Sequence, residues 1–297
     1  MPSKNPPTNR LESGLYVVAT PIGNLGDLSD RAKNVLCKAD FIYAEDTRRS
    51  KILLSHIGSD SPIRRLDENK IESKISEIIA ELESGKSLAL VCDAGTPGVN
   101  DPASRLIVKL PAEIKTIPIP GPSAVLALHS VASFSTDSFN FRGFFPRKDK
   151  EISDELNRIQ MISAISDCIF YWFESPRRIL SSLKKVKESF PSSNLLLGKE
   201  LTKLHEKIFR GTSVEVYEML ENEIKTEGEL GEFLFALELK SENFTAELAS
   251  NEWEKALGCA LLSGSTVSEA SKQVSRLYGV SKKVVYQSAL KISEKKI

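Results

Sequence analysis

Leu88-Ala89-Leu90-Val91-Cys92 is an uninterrupted apolar run with the length and composition of a strand buried on both faces of a parallel sheet. It stops at Asp93, and the next six residues include Gly95, Pro97 and Gly98. Asp101 and Pro102 then read as a helix N-cap with proline in the first turn, opening a helix through residues 104–108. A strand that delivers an acid into a glycine-rich loop has the form of a ligand site, because open α/β sheets bind ligands beyond the carboxyl ends of their strands. The plainer reading is a turn, with Asp93 capping it and the glycines supplying tight backbone angles. The two readings separate on whether other loops join this one at the same edge.

Three others do. Residues 15–19 form a first strand, followed by Thr20-Pro21-Ile22-Gly23-Asn24-Leu25 and a helix with Leu28, Ala32, Val35, Leu36 and Ala39 at helical spacing. Residues 41–44 form a second strand, which ends in Glu45-Asp46-Thr47-Arg48-Arg49; a short helix then closes at Gly58. A long amphipathic helix puts Ile71, Ile75, Ile78 and Leu82 on one face before the central strand begins. Residues 116–119 form another strand, running into Pro120-Gly121-Pro122-Ser123-Ala124 and an apolar helix. This alternation predicts an α/β fold with a mostly parallel sheet covered on both faces. All four polar junctions then lie along one edge, where a binding crevice is expected.

The composition changes near Thr136. Residues 139–148 are aromatic and basic and read as an inter-domain connection to a second α/β set. That set has a charged helix near 151–163, then a strand 168–173 ending in Glu174-Ser175-Pro176-Arg177-Arg178. A helix with Ile179, Leu183 and Val186 follows, then Leu195-Leu196-Leu197 running into Gly198-Lys199-Glu200-Leu201-Thr202-Lys203, and a closing strand 233–239. The expected organisation is a disordered tail over 1–13, an N-terminal α/β domain over 14–136, a second over 137–240, a linker near 241–250, and a small helical module over 251–297. Within that module, helices around 267–277 and 281–290, joined at Tyr278-Gly279-Val280, have the form of a helix-turn-helix pair. From Glu252 onward eight basic residues face four acidic ones, which favours contact with nucleic acid.

Across all 297 residues, forty basic and forty acidic side chains cancel, so a polyanionic partner would have to be met by a local basic surface. The four cysteines and three histidines are scattered, offering neither a disulfide framework nor a metal site, and suit a reducing cytoplasm. No apolar stretch approaches a membrane span, so a cytoplasmic protein is expected.

Asp93-Ala94-Gly95 superficially matches the acid-and-glycine loop of Rossmann-type methyltransferases, but two βα units precede it and Pro97 interrupts it. There is no complete G-x-G-x-x-G fingerprint and no P-loop. The loops match another pattern in order and spacing. Thr20–Leu25, Ala44–Arg48, Asp93–Gly98, Pro120–Ala124, Glu174–Arg178 and Glu200–Lys203 together resemble those of the small-subunit methyltransferase I family, the bacterial 16S ribosomal RNA cytidine 2′-O-ribose methyltransferases of the tetrapyrrole-methylase superfamily. The resemblance runs from about Gly14 to Leu239 and is looser over the C-terminal helices.

It implies two α/β domains with S-adenosylmethionine in the cleft between them, a homodimer, and 16S ribosomal RNA of the 30S subunit as substrate. Carried over residue by residue, the cofactor positions are Pro21, Ile22, Asp93, Gly95, Thr96, Ser123, Ala124, Phe173, Glu174 and Leu201. A carboxylate or lysine can take the hydroxyl proton during methyl transfer, and Glu45, Asp101, Glu174 and Lys203 are the unranked candidates. Arg48, Arg177, Arg178, Lys282 and Lys283 are the expected RNA contacts, with the basic segment 142–148 beside them. Two departures touch the RNA side: Leu66-Asp67-Glu68-Asn69-Lys70 replaces a histidine- and asparagine-rich segment of the family, and acids at Asp149, Glu151, Asp154 and Glu155 dilute the basic run. The rival readings are a methylase of the same fold acting on a corrin precursor, and a non-catalytic RNA-binding assembly factor.

Overall fold

The structure, a computed structural model, describes residues 10–67, 71–164, 166–228, 230–241, 252–262 and 265–294. Residues 1–9 of the expected tail, 242–250 of the expected linker and 68–70 of the departing segment lie outside the described residues. The chain divides into two compact units: one runs up to Ala132 and also takes in Gly198–Lys207, and the other comprises Ser133–Leu197 and the residues from Ile208 on.

In the first unit, β1 (Gly14–Val18), β2 (Phe41–Ala44), β3 (Ile63–Arg65), β4 (Ser87–Val91) and β5 (Thr116–Ile119) form one sheet in the order β3-β2-β4-β1-β5. Every neighbouring pair is parallel. Five helices connect them: α1 (Asp30–Lys38), α2 (Thr47–Ile57), α3 (Ile71–Glu83), α4 (Ala103–Ile107) and α5 (Ala124–Ser130). The central strand is buried along its whole length and its side chains alternate between two cores. Ala89 and Val91 meet Val35, Leu36, Leu53 and Leu54 of α1 and α2, while Leu88 and Leu90 meet Ile71, Ile78, Leu82 and Leu106 of α3 and α4. An all-parallel sheet has its carboxyl ends at one edge, so the four junction loops share that edge, as their sequence order predicts. The three-residue β3 has no apolar run of its own and is invisible to periodicity; Arg64 fastens it to α3 through Glu77 and Glu81, its guanidinium lying over the Phe41 ring.

The second unit corrects two expectations. Residues 139–148 are not only a connection: β6 (Phe139–Phe144) is the edge strand of a second sheet, paired parallel to β7 (Cys168–Glu174). That sheet runs β6-β7-β10-β8-β9, with β8 (Asn194–Lys199), β9 (Lys207–Thr212) and β10 (Phe233–Leu239). It is mixed rather than mostly parallel, since β10 lies antiparallel to β7 over seven residue pairs. The helices are α6 (Asp149–Ser163), α7 (Ile179–Ser189) and α8 (Ser213–Glu227), the last opened by a reciprocal cap between Thr212 and Glu215. The core is aromatic, with Trp172 stacked on Phe170 and Phe235 and meeting Phe145 edge-on.

Beyond it, α9 (Glu252–Leu262), α10 (Val267–Tyr278) and α11 (Lys282–Glu294) enclose their own small core of Trp253, Leu257, Ala270, Val274, Val285 and Ala289. Thr266 and Glu269 cap α10 reciprocally. Among the described residues no helix is long and apolar enough to cross a membrane.

One buried acid ties β6 to α6. Glu155 accepts from Arg142 Nε and Nη2 at 2.8 Å each and from Trp172 Nε1 at 3.1 Å. Burial alone would raise its carboxyl; the Arg142 and Trp172 hydrogen bonds outweigh burial and hold it below the usual range. A depressed carboxyl contributes stability that is fully present above the unfolded value of about 4.3 and is lost as pH falls through the folded one. Glu155→Gln is therefore expected to flatten the decline in urea-unfolding stability between about pH 5 and pH 3, while lowering stability at pH 7.

Candidate active site

The loops at the carboxyl edge of the first sheet brace one another through the backbone. Thr20 N–H donates to Gly95 O at 2.9 Å and Gly95 N–H returns a bond to Thr20 O at 3.0 Å, locking the β1 loop to the β4 loop. Gly95 sits at φ +81°, and a Cβ there would press on Ile22 Cγ2 at 3.3 Å. Thr96 Oγ1 donates to Pro122 O at 3.0 Å, adding the β5 loop. Asp46 N–H donates to Asp93 Oδ1 at 3.1 Å, adding the β2 loop. Four loops from four strands thus form one rim of backbone groups. Cys92 is buried beneath it, its thiol donating toward Ala94 O and Gly95 O; burial pushes the thiol up to about 12, so it stays protonated and inert.

The acids of the rim are mostly engaged. Asp101 accepts from Gly98 N–H at 2.7 Å and Ala103 N–H at 2.8 Å, closing the loop; the N-cap of α4 is Pro102, one residue beyond the expected Asp101. Asp46 caps α2 and takes both Arg48 Nε and Nη2; those hydrogen bonds hold its carboxyl far below the usual range. Asp93 keeps Oδ2 toward Arg49 Nη1 at 3.4 Å. Glu45 is half-buried at the end of β2.

A second turn meets the rim at Gly23. Residues 200–203 carry two left-handed non-glycine residues, Glu200 (φ +53°) and Thr202 (φ +67°), and for a β-branched threonine that is strained backbone. Glu206 accepts from Thr202 N–H, and Glu200 accepts from Lys203 Nζ at 2.9 Å. Thr202 Oγ1 is buried with no hydrogen-bond partner among the described residues. A Cβ on Gly23 would fall onto Lys203 Cγ and come within 2.8 Å of Thr202 Oγ1 and 3.0 Å of Leu201 O. Only glycine lets the turn approach this closely.

Comparison with known proteins gives the family. The tetrapyrrole (corrin/porphyrin) methylase family model matches residues 14–217. A Haemophilus influenzae protein named ribosomal RNA small subunit methyltransferase I is 34% identical over 284 residues, covering 95% of this chain and 98% of that one. This chain belongs to that family. A Vibrio cholerae member of the same name is 41% identical over 196 residues, covering 65% of this chain and 67% of its own length. Among solved structures, diphthine synthase aligns with a TM-score of 0.56 at 13% identity, over 75% of this chain and 88% of its own. Cobalt precorrin-4 methyltransferase aligns with 0.54 at 15% identity, over 75% and 93%. At those identities the structures establish the two-sheet methylase fold alone.

Within this methyltransferase-family fold the sequence-derived residues divide by unit. Pro21, Ile22, Asp93, Gly95, Thr96, Ser123, Ala124 and Leu201 all belong to the first unit; the bonds above join the loops of all but Leu201, whose turn packs against Gly23. Phe173 and Glu174 belong to the second. There Glu174, fully buried, accepts from Arg178 Nε and Nη2, Ser182 Oγ and Ser175 N–H. Arg178 also donates to Phe145 O and Pro146 O, so this arginine, expected at RNA, is committed to an internal ion pair. Arg48, Arg177, Lys282 and Lys283 are exposed. Sequence reasoning placed Arg49 on the edge but not its pairing with Asp93, and quoted Thr202 but not its left-handed backbone; Gly23, inside the quoted Thr20–Leu25 motif, was the available signal for the turn that meets the rim. Among the described residues no cluster of three or more His, Cys, Asp or Glu is arranged to hold a metal ion.

Two outcomes follow for variants. Gly23→Ala should displace the 201–203 turn and destabilise the protein by about 1–3 kcal/mol in urea unfolding, the usual range for overpacking. Arg178→Ala should cost about 3–5 kcal/mol, because it leaves the Glu174 carboxylate buried without its counter-charge.

Proposed function

We propose that this protein is an S-adenosylmethionine-dependent methyltransferase acting on the ribose 2′-hydroxyl of a cytidine in 16S ribosomal RNA of the small subunit, working as a cytoplasmic homodimer. The observation that carries the reading is the four-loop rim, together with family membership over nearly the whole length of relatives named for that RNA. The rim fits such a cofactor. Its glycines leave backbone groups unshielded by a Cβ, and the buried Thr202 hydroxyl, which has no hydrogen-bond partner among the described residues, lies beside Gly23.

When bound, the cofactor supplies a methyl group on a sulfonium centre. Backbone groups of Pro21, Ile22, Gly95, Thr96, Ser123 and Ala124 hold it in the first unit, with Leu201 beside Gly23; Phe173 and Glu174 are the candidates from the second unit. Rigid loops serve this chemistry because in-line displacement gains most from positioning, worth about 7–11 kcal/mol. Among Glu45, Asp101, Glu174 and Lys203, Glu45, half-buried at the carboxyl end of β2 on the rim, is the proposed acceptor of the hydroxyl proton. Arg48, Arg177, Lys282 and Lys283 supply exposed positive charge for the RNA backbone.

The test incubates the protein and labelled S-adenosylmethionine with unmodified 30S subunits, free 16S RNA and a corrin precursor, followed by nucleoside analysis. Label on a cytidine ribose is expected. Label only on the corrin moves the assignment to small-molecule methylation, and the absence of both transfer and thermal stabilisation by the cofactor removes the enzyme reading. Glu45→Gln should lower kcat at least tenfold, with cofactor affinity by calorimetry unchanged.

A further inference from the structure

Beside the rim, on the α2 side, lies a cavity of about 150 Å³. Its walls include Pro21, Leu25, Ile52 and Leu53, with Arg49 and Asp93 as its charged groups. The volume is well below the roughly 300–1,000 Å³ of sites for drug-sized ligands, so it suits a single ring. Leu25 is 39% and Ile52 67% exposed, which leaves two large apolar side chains at an open slot. Arg49, Ile52 and Leu53 share a face of α2 through their three- and four-residue spacing. Asp93 is aimed by the Asp46 N–H on Oδ1, and its Oδ2 lies 3.4 Å from Arg49 Nη1. Arg49 is 63% exposed at its side chain, and an ion pair that loose and solvated is easily exchanged for a ligand.

The slot therefore offers apolar walls for a flat ring and, side by side, a planar donor fork and a carboxylate acceptor. Cytosine presents the complement: N3 and O2 accept, and the N4 amino group donates. Uracil presents O4 and N3–H in the reverse sense, and O4 would face the carboxylate. We propose that this slot receives the base of the target cytidine, turned out of its stack, with Arg49 donating to N3 and O2 and Asp93 accepting from the N4 amino group. The inference rests on the ribose-methylation reading and moves Asp93 from cofactor binding to the choice of nucleotide. An α-amino acid terminus, such as the cofactor carries, also matches an arginine beside an aspartate, but it makes no use of the apolar walls.

The experiment measures kcat/KM on 16S RNA carrying cytidine or uridine at the position that nucleoside mapping identifies, alongside cofactor affinity by calorimetry. Wild type should favour cytidine. Asp93→Asn, whose amide can donate to O4, should reduce that preference at least tenfold while cofactor affinity stays within twofold. Ile52→Trp, filling the slot from an exposed position, should lower kcat/KM for RNA at least tenfold with unchanged cofactor affinity and melting temperature. An unchanged cytidine preference in Asp93→Asn overturns the proposal, and weakened cofactor binding with that unchanged preference assigns the slot to the amino-acid end of the cofactor. If Asp93→Asn is inactive on both RNAs, Ile52→Trp decides, and wild-type kcat/KM in that variant overturns the proposal. Wild type that methylates neither RNA overturns the ribose-methylation reading and the base slot with it; wild type active on cytidine leaves that reading standing whatever the variants do.

Discussion

Two hydrogen bonds between Thr20 and Gly95 organise the first unit. β1 and β4 are adjacent parallel strands, and parallel strands leave the sheet with their loops side by side but unpaired. The reciprocal Thr20–Gly95 bridge continues the pairing one step beyond the strands, in the opposite sense. With that step made, Thr96 is placed to hold Pro122, and Asp93, at the end of the same strand, to hold Asp46. Each later contact depends on the first, because a glycine at φ +81° turns the β4 loop back toward β1. Loop backbone is normally mobile; here the β4 loop is tied to three neighbouring loops.

Most acidic side chains in and around the site are structural, and the reason is electrostatic. On the proposed function, carboxylates left free near the edge would repel RNA phosphate, whereas carboxylates that accept backbone N–H groups or pair with arginine are neutralised locally. Asp101, Asp46 and Glu174 each show this, through a loop closure, a helix cap and a buried ion pair. The same reasoning separates the arginines. Arg178 is spent on Glu174 and two carbonyls, while its neighbour Arg177 points to solvent.

The first unit was legible in the sequence because its signals are local. A buried parallel strand reads as an apolar run, and each junction announces itself with glycine, proline or a capping acid, so β1, β2, β4 and β5 fall where periodicity places them. What escaped was settled by distant partners. β3 exists because Arg64 reaches α3, and β6 because its mixed apolar and basic residues pair with β7; neither carries a pattern of its own. β9 and the capped α8 escaped for a similar reason, since residues 207–227 alternate weakly and bury little of their length. The site divided in the same way. Motifs picked out the loops, but the strain at Thr202, the close approach at Gly23 and the pairing of Arg49 with Asp93 exist only in three dimensions.

A chain with no net charge must still meet a polyanion on the proposed reading, and the distribution of engaged and exposed charge shows how. Salt-dependent attraction to phosphate depends on the cations a surface displays, less the anions displayed beside them. In the C-terminal helices Lys272, Arg276, Lys282, Lys283 and Lys291 are exposed, while the exposed Glu269 carboxylate is engaged by the Thr266 cap. Around α2, Asp46 accepts from Arg48 and Asp93 from the Asp46 N–H, so Arg48 is offset by a hydrogen-bonded acid while Arg49 lies more loosely beside Asp93. On the proposed reading the lysines give unspecific attraction, and the guanidinium groups around α2 can discriminate what they touch. Neutral composition is thus compatible with a nucleic-acid substrate, provided that the acids hold the fold and the bases face the RNA.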